Sequence, residues 1–173
     1  MLLGDDGVGP YVAGMLESGY RFEESVTVAD LGTPGLDLVA HLSGIDVLIL
    51  VDSVKNGAAP GTVTLYRKEE ILRNGPAPVR MDPHSPALSE SILIAEMAGE
   101  GPEEILLIGI TGEQYEVNAG LSEAAEKAAR EAVVQILVEL GRLGFSYTEL
   151  HTKSYSAWWK PLNEAAFEVS PAF

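Results

Sequence analysis

Strand-length apolar runs alternate along this chain with segments of helical period, and few folds accommodate that alternation. Val26–Ala29, Val47–Val51, Thr62–Leu65 and Ile105–Ile110 are rich in aliphatic and β-branched residues. Mostly continuous runs of this kind suit strands covered on both faces. Between them, Gly9–Glu17, Gly35–Leu42, Pro86–Ala98 and Ser122–Leu143 read as helices. In the last of these, Ala125, Ala128, Ala132, Ile136, Leu140 and Leu143 share one face, Ser122 can cap the start and Gly144 can end it. The order predicts an α/β fold, a three-layer sandwich with a mainly parallel twisted sheet flanked by helices. Residues 1–150 form that domain in this reading. The loop Asn74–Pro83, with three prolines, is predicted to be the most mobile connection.

Residues 151–173 differ in character. They hold five of the twelve aromatic residues, Tyr155, Trp158, Trp159, Phe167 and Phe173. Such residues pack on their own domain or against a partner, and docking on the own domain is the simpler expectation. A length of 173 residues suffices for one domain with a substantial core. The formal net charge of −15 opposes nucleic acid and anionic membrane surfaces as partners. No apolar run approaches the roughly 20 residues of a membrane span. The start, Met1–Asp6, lacks the basic region and cleavage site of a signal peptide. The absence of cysteine excludes disulfides, thiolate metal sites and cysteine nucleophiles. A soluble cytoplasmic monomer is the expectation.

Four positions bear chemistry where an α/β sheet keeps its ligands, at strand ends and helix starts. The first is Asp5-Asp6, within a glycine-rich segment that resembles a phosphate loop. Two carboxylates and no lysine are the wrong chemistry for phosphate. One of the pair can cap the following helix; the second suggests a cation. Asp30 follows the first apolar run and reads equally well as a turn residue. Asp52 ends Val47–Val51, where a carboxylate is costly unless paired, hydrogen-bonded or metal-bound. His84 lies between prolines ahead of a helix. His41 and His151 lack acidic neighbours at ligand spacing and read as bland. Asp6, Asp52 and His84 thus make a two-carboxylate, one-imidazole set suited to nickel, zinc or manganese. No HExxH helix and no Gly-x-Ser-x-Gly elbow is present. Ser85 and Ser89 read as helix caps.

In their order, these motifs resemble the maturation endopeptidases of nickel–iron (NiFe) hydrogenases. The matches are Leu3–Gly9, Asp30–Gly35, Asp52–Val54, Ala59–Thr62, His84 with the helix containing Leu88, and Ile108–Thr111 followed by Gly120–Ser122. The resemblance implies a phosphorylase/hydrolase-like fold and removal of a carboxyl-terminal extension from the hydrogenase large-subunit precursor after nickel insertion. It places the nickel-contacting positions on Asp6, Asp52 and His84, with Asp6 where the family often has Glu. Asp30 falls on the family's second acidic motif, to position substrate or help activate water. Nickel is then supplied by the substrate and is weakly held or absent in the free protein. Family members open with an apolar strand before the acidic loop, and that first strand is missing ahead of Leu3 here. Two alternatives accompany this reading: a hydrolase of the same fold with its own divalent metal, and a truncated non-catalytic module that docks the large subunit.

Overall fold

A computed structural model describes residues 4–32, 38–74, 77–78, 88–116 and 120–150. A 3₁₀ turn, Gly4–Gly7, leads into α1 (Val8–Gly19) and β1 (Tyr20–Phe22). There follow α2 (Leu38–Leu42), β2 (Val47–Lys55), β3 (Val63–Arg67), α3 (Lys68–Asn74) and β4 (Ala77–Pro78). The chain continues through α4 (Leu88–Met97), β5 (Glu104–Thr111), α5 (Glu123–Leu143) and β6 (Tyr147–Glu149). None of the described helices is long and apolar enough to cross a membrane.

The main sheet has the order β3-β5-β2-β4. Strand β5 is its centre, and its alternation builds the layers. Leu106, Ile108 and Ile110 belong to a core shared with Val8, Tyr11 and Leu16 of α1 and with Ala128, Ala132 and Ile136 of α5. Ile105 and Leu107 join a second core with Leu42, Ile71, Ile92 and Ala95 from α2, α3 and α4. Successive strand residues point to opposite faces, so a strand apolar throughout requires helices on both sides. The expected α/β architecture follows from that requirement.

The expectation of a mainly parallel sheet is corrected. Among the described strands β2 and β5 pair in parallel, whereas β3 runs antiparallel to β5 and β4 antiparallel to β2. The connection from β2 to β3, residues 56–62, contains no helix. A parallel return needs a crossover of about ten or more residues, usually a helix, so β3 comes back in the opposite sense.

A second correction concerns Val26–Ala29, which forms no ladder among the described residues. Its side chains still alternate: Val26 and Val28 pack against the α1–α5 core, while Thr27 and Ala29 are exposed. On the edge of β2 away from β5, Val54 and Lys55 pair with β4. The short antiparallel pair of β1 with β6, and helix α3, were not foreseen from the pattern.

Helix α5 matches its reading closely. Ser122 Oγ accepts a hydrogen bond from the Ala125 amide at 3.1 Å, and Gly144 ends the helix in the left-handed region at φ 86°. The helix is tied to the sheet by Glu139, whose buried carboxylate accepts from the guanidinium groups of Arg67 at the end of β3 and Arg142. The Arg67 hydrogen bond is the main cause that holds the Glu139 carboxyl down at about 2. Of the loop Asn74–Pro83, the described part past α3 is β4; its predicted mobility lies outside the described residues, as does everything predicted for the tail 151–173.

Candidate active site

The site is assembled where the 3₁₀ turn meets the carboxyl end of β2 and the loop after β5. The glycines of the turn segment are there for close approach. Gly4 has φ +53°, and a Cβ on it would stand 2.4 Å from the Gln114 carbonyl oxygen. A Cβ on Gly9 would stand 2.8 Å from the carbonyl oxygen of Val51, so this glycine lets the start of α1 lie directly on β2.

Asp5 and Asp6 part company at once. Asp5 is fully buried, and its Oδ2 accepts from the amides of Glu113 and Gln114 at 2.8 and 3.2 Å. Its Oδ1 accepts from the Ser122 amide at 2.7 Å, and Oδ2 from the Ser122 hydroxyl at 3.0 Å. The expectation that one of the pair caps the following helix is therefore wrong: Gly7 is the N-cap of α1, and no side chain caps the helix start. Asp5 instead serves the backbone of the loop after β5 and the start of α5. Its neighbour is left free for other chemistry.

Asp6 is half-buried and receives the Ser53 hydroxyl at 3.1 Å. Burial raises its carboxyl above the usual range, and the Ser53 hydrogen bond opposes the shift. Asp52, near the end of β2, receives the Ser53 amide on Oδ1 at 2.7 Å. Desolvation by burial pushes the Asp52 carboxyl up to about 7; the Ser53 amide works against this and the negative charge of Asp6 adds to it. Two desolvated carboxylates that sense each other resist ionising together. They are relieved by a proton or by a cation.

The donor set fits part of a divalent-cation site. Oxygen ligands from Asp6 and Asp52 suit a hard or borderline ion, yet two carboxylates alone hold one weakly. Among the described residues no group of three His, Cys, Asp or Glu side chains is placed to bind a metal. His84, the third member of the expected set, lies outside the described residues, as do Ser85 and His151. Asp30 is exposed, and its Oδ1 accepts from the Gly32 amide at 2.8 Å in a local turn. No described hydrogen bond joins it to Asp6 or Asp52. His41 is exposed on α2, and Ser89 sits within α4.

Ser53 and two residues grouped with it were missed from sequence. Ser53 touches both carboxylates, Tyr115 lies beside Ser53, and Lys55 places its Nζ 5.2 Å from the centre of the Tyr115 ring. A polar residue directly after Asp52 in an otherwise apolar strand is a signal that could have pointed to Ser53.

The model of the hydrogenase maturation protease family matches residues 10–139. The hydrogenase expression/formation protein HoxM of Azotobacter vinelandii is 34% identical over 139 residues, covering 80% of this chain and 67% of that protein. The hydrogenase 2 maturation protease of Escherichia coli is 31% identical over 147 residues, covering 83% of this chain and 87% of its own length. Among solved structures, the hydrogenase maturating endopeptidase HybD from E. coli superposes with a TM-score of 0.75 at 29% identity, over 86% of this chain and 91% of that one.

Proposed function

Since this chain belongs to the hydrogenase maturation protease family, a family of endopeptidases, we propose that it cleaves the carboxyl-terminal extension from a NiFe hydrogenase large-subunit precursor once nickel has been inserted. The observation that carries this reading is the pair of carboxylates, Asp6 and Asp52, gathered around Ser53 at the end of the sheet. Nickel enters as part of the substrate. Asp6, Asp52 and His84 contact it, and so hold the neighbouring peptide bond where water can attack. Orientation and polarisation by the ion are the two physical contributions. Asp30, exposed at the end of its extended segment, is assigned to positioning the substrate or helping to activate the water.

The net charge of −15 supports a protein that meets neither nucleic acid nor anionic membrane, and the lack of cysteine fits a cytoplasmic setting. In this reading it works as a monomer on one partner, the large-subunit precursor. The experiment is incubation of the purified chain with nickel-loaded precursor and with metal-free precursor, followed by mass measurement of the large subunit. Loss of the extension from the nickel-loaded form alone is the expected result. Cleavage irrespective of nickel, or none from either form, overturns the reading.

A further inference from the structure

Strand alternation sends the side chain of Ser53 to the same face as Ile49 and Val51, which pack on the α1–α5 core, and that of Asp52 to the opposite face. Two carboxylates reached from opposite faces of a strand need a common reference if they are to meet one ion. Ser53 supplies it: its amide donates to Asp52 at 2.7 Å and its hydroxyl to Asp6 at 3.1 Å. Ser53 is fully buried, so its amide and hydroxyl have no water to turn to in place of these carboxylates.

Behind Ser53 stands Tyr115. Its hydroxyl is buried, has no hydrogen-bond partner among the described residues, and lies beside the Ser53 side chain. It is seated over Gly112, where a Cβ would stand 2.7 Å from the phenol oxygen and 2.8 Å from Cβ of Asp5. An unpaired buried hydroxyl is costly, so a small rotation that lets it donate to Ser53 Oγ is favoured. The Lys55 ammonium, 5.2 Å from the ring centre, makes a cation–π contact that helps hold the side chain.

We propose that Ser53, backed by the Tyr115 hydroxyl, is a positioning residue that orients the Asp6 and Asp52 carboxylates toward a single divalent cation. That this ion is the nickel of the precursor rests on the proposed function; the positioning itself rests on the hydrogen bonds. Outer partners of metal ligands commonly change affinity by roughly 10–100-fold.

The test is titration of the full chain with Ni2+ alone, for wild type, Ser53→Ala, Tyr115→Phe and the double variant, with thermal melts and precursor processing run on each. Ser53→Ala is expected to weaken Ni2+ binding about tenfold, and Tyr115→Phe to weaken it severalfold. Because Tyr115 acts through Ser53, its effect is expected to vanish in the Ser53→Ala background. A structural role alone would shift the melts without that non-additivity. Binding within twofold of wild type for Ser53→Ala, equal losses from Tyr115→Phe in both backgrounds, or no measurable Ni2+ binding by wild type overturns the inference. Precursor left uncut by a wild-type chain whose titrations show the expected pattern overturns the proteolytic reading while supporting the positioning.

Discussion

Adjacent aspartates in the first loop have opposite fates, and substitutions should separate them. Asp5 is buried and accepts four hydrogen bonds from Glu113, Gln114 and Ser122. Asp5→Ala leaves those donors unpaired, at about 1–3 kcal/mol for each one that water cannot reach, and a melting temperature lowered by several degrees is expected. Asp52 predicts the reverse. Its folded carboxyl titrates at about 7, above the 3.8 of a free aspartate. Between those values the folded state holds a proton that the unfolded chain has lost, so stability falls as pH rises through this window. Asp52→Ala should therefore melt no lower than wild type at pH 8, and by linkage about 1–2 kcal/mol higher once partial solvent access is discounted. Processing of nickel-loaded precursor should nevertheless be lost, as for His84→Ala, with His151→Ala close to wild type as the control. Circular dichroism alongside the mass assay checks this, and normal cleavage by Asp52→Ala or His84→Ala defeats the assigned chemistry. Asp6 and Asp52 were legible because one sits beside a redundant carboxylate and the other directly follows an apolar run, within β2. The work of Asp5 was not legible, since its partners lie 108–117 residues away along the chain.

Elements with a long apolar period were readable for the same physical reason that they are stable. Helix α5 buries Ala125, Ala128, Ala132, Ile136 and Leu140 on one face, and both its caps are local chemistry. Strands β1 and β6 span three residues each, too short for any period to register, and exist through their mutual pairing. Val26–Ala29 shows the converse: its alternation is real, but a strand also needs a ladder. The tie between α5 and β3 gives an acid-stability prediction. Glu139 titrates at about 2 in the fold, against 4.5 for a free glutamate, chiefly through its Arg67 hydrogen bond. A depressed carboxyl adds stability above its unfolded value and loses it as pH falls from about 4.5 through 2. Arg67 is 42% exposed, so solvent screening limits the contribution to on the order of 1–2 kcal/mol. Glu139→Gln should lower the melting temperature at pH 7 by a few degrees, with the gap to wild type closing by about pH 2. A gap independent of pH would point to packing alone.

At the scale of the whole molecule, stability and the proposed metal binding draw on different parts of the fold and should be separable. Two apolar cores, one on each face of β5, hold the described layers together without any metal ligand among their members. The carboxylate pair lies outside both, at the end of β2, and burial there opposes its double ionisation. A divalent ion must offset that desolvation with few protein ligands, and a borderline ion such as nickel prefers a fuller nitrogen and oxygen set. Under the proposed function, ligands brought by the substrate complete such a set, which would make capture of the ion conditional on capture of the precursor. Dialysis of the purified chain against a chelator is therefore expected to leave its melting temperature unchanged within a degree or two. It should also leave no stoichiometric metal on elemental analysis and preserve cleavage of precursor that already carries nickel. Added Ni2+ should bind weakly and release protons, more tightly at pH 8 than at pH 6, because the Asp52 carboxyl must give up its proton to ligate. A stoichiometric metal that survives the chelator, or a melting temperature that falls steeply on its removal, would identify a hydrolase with a resident ion.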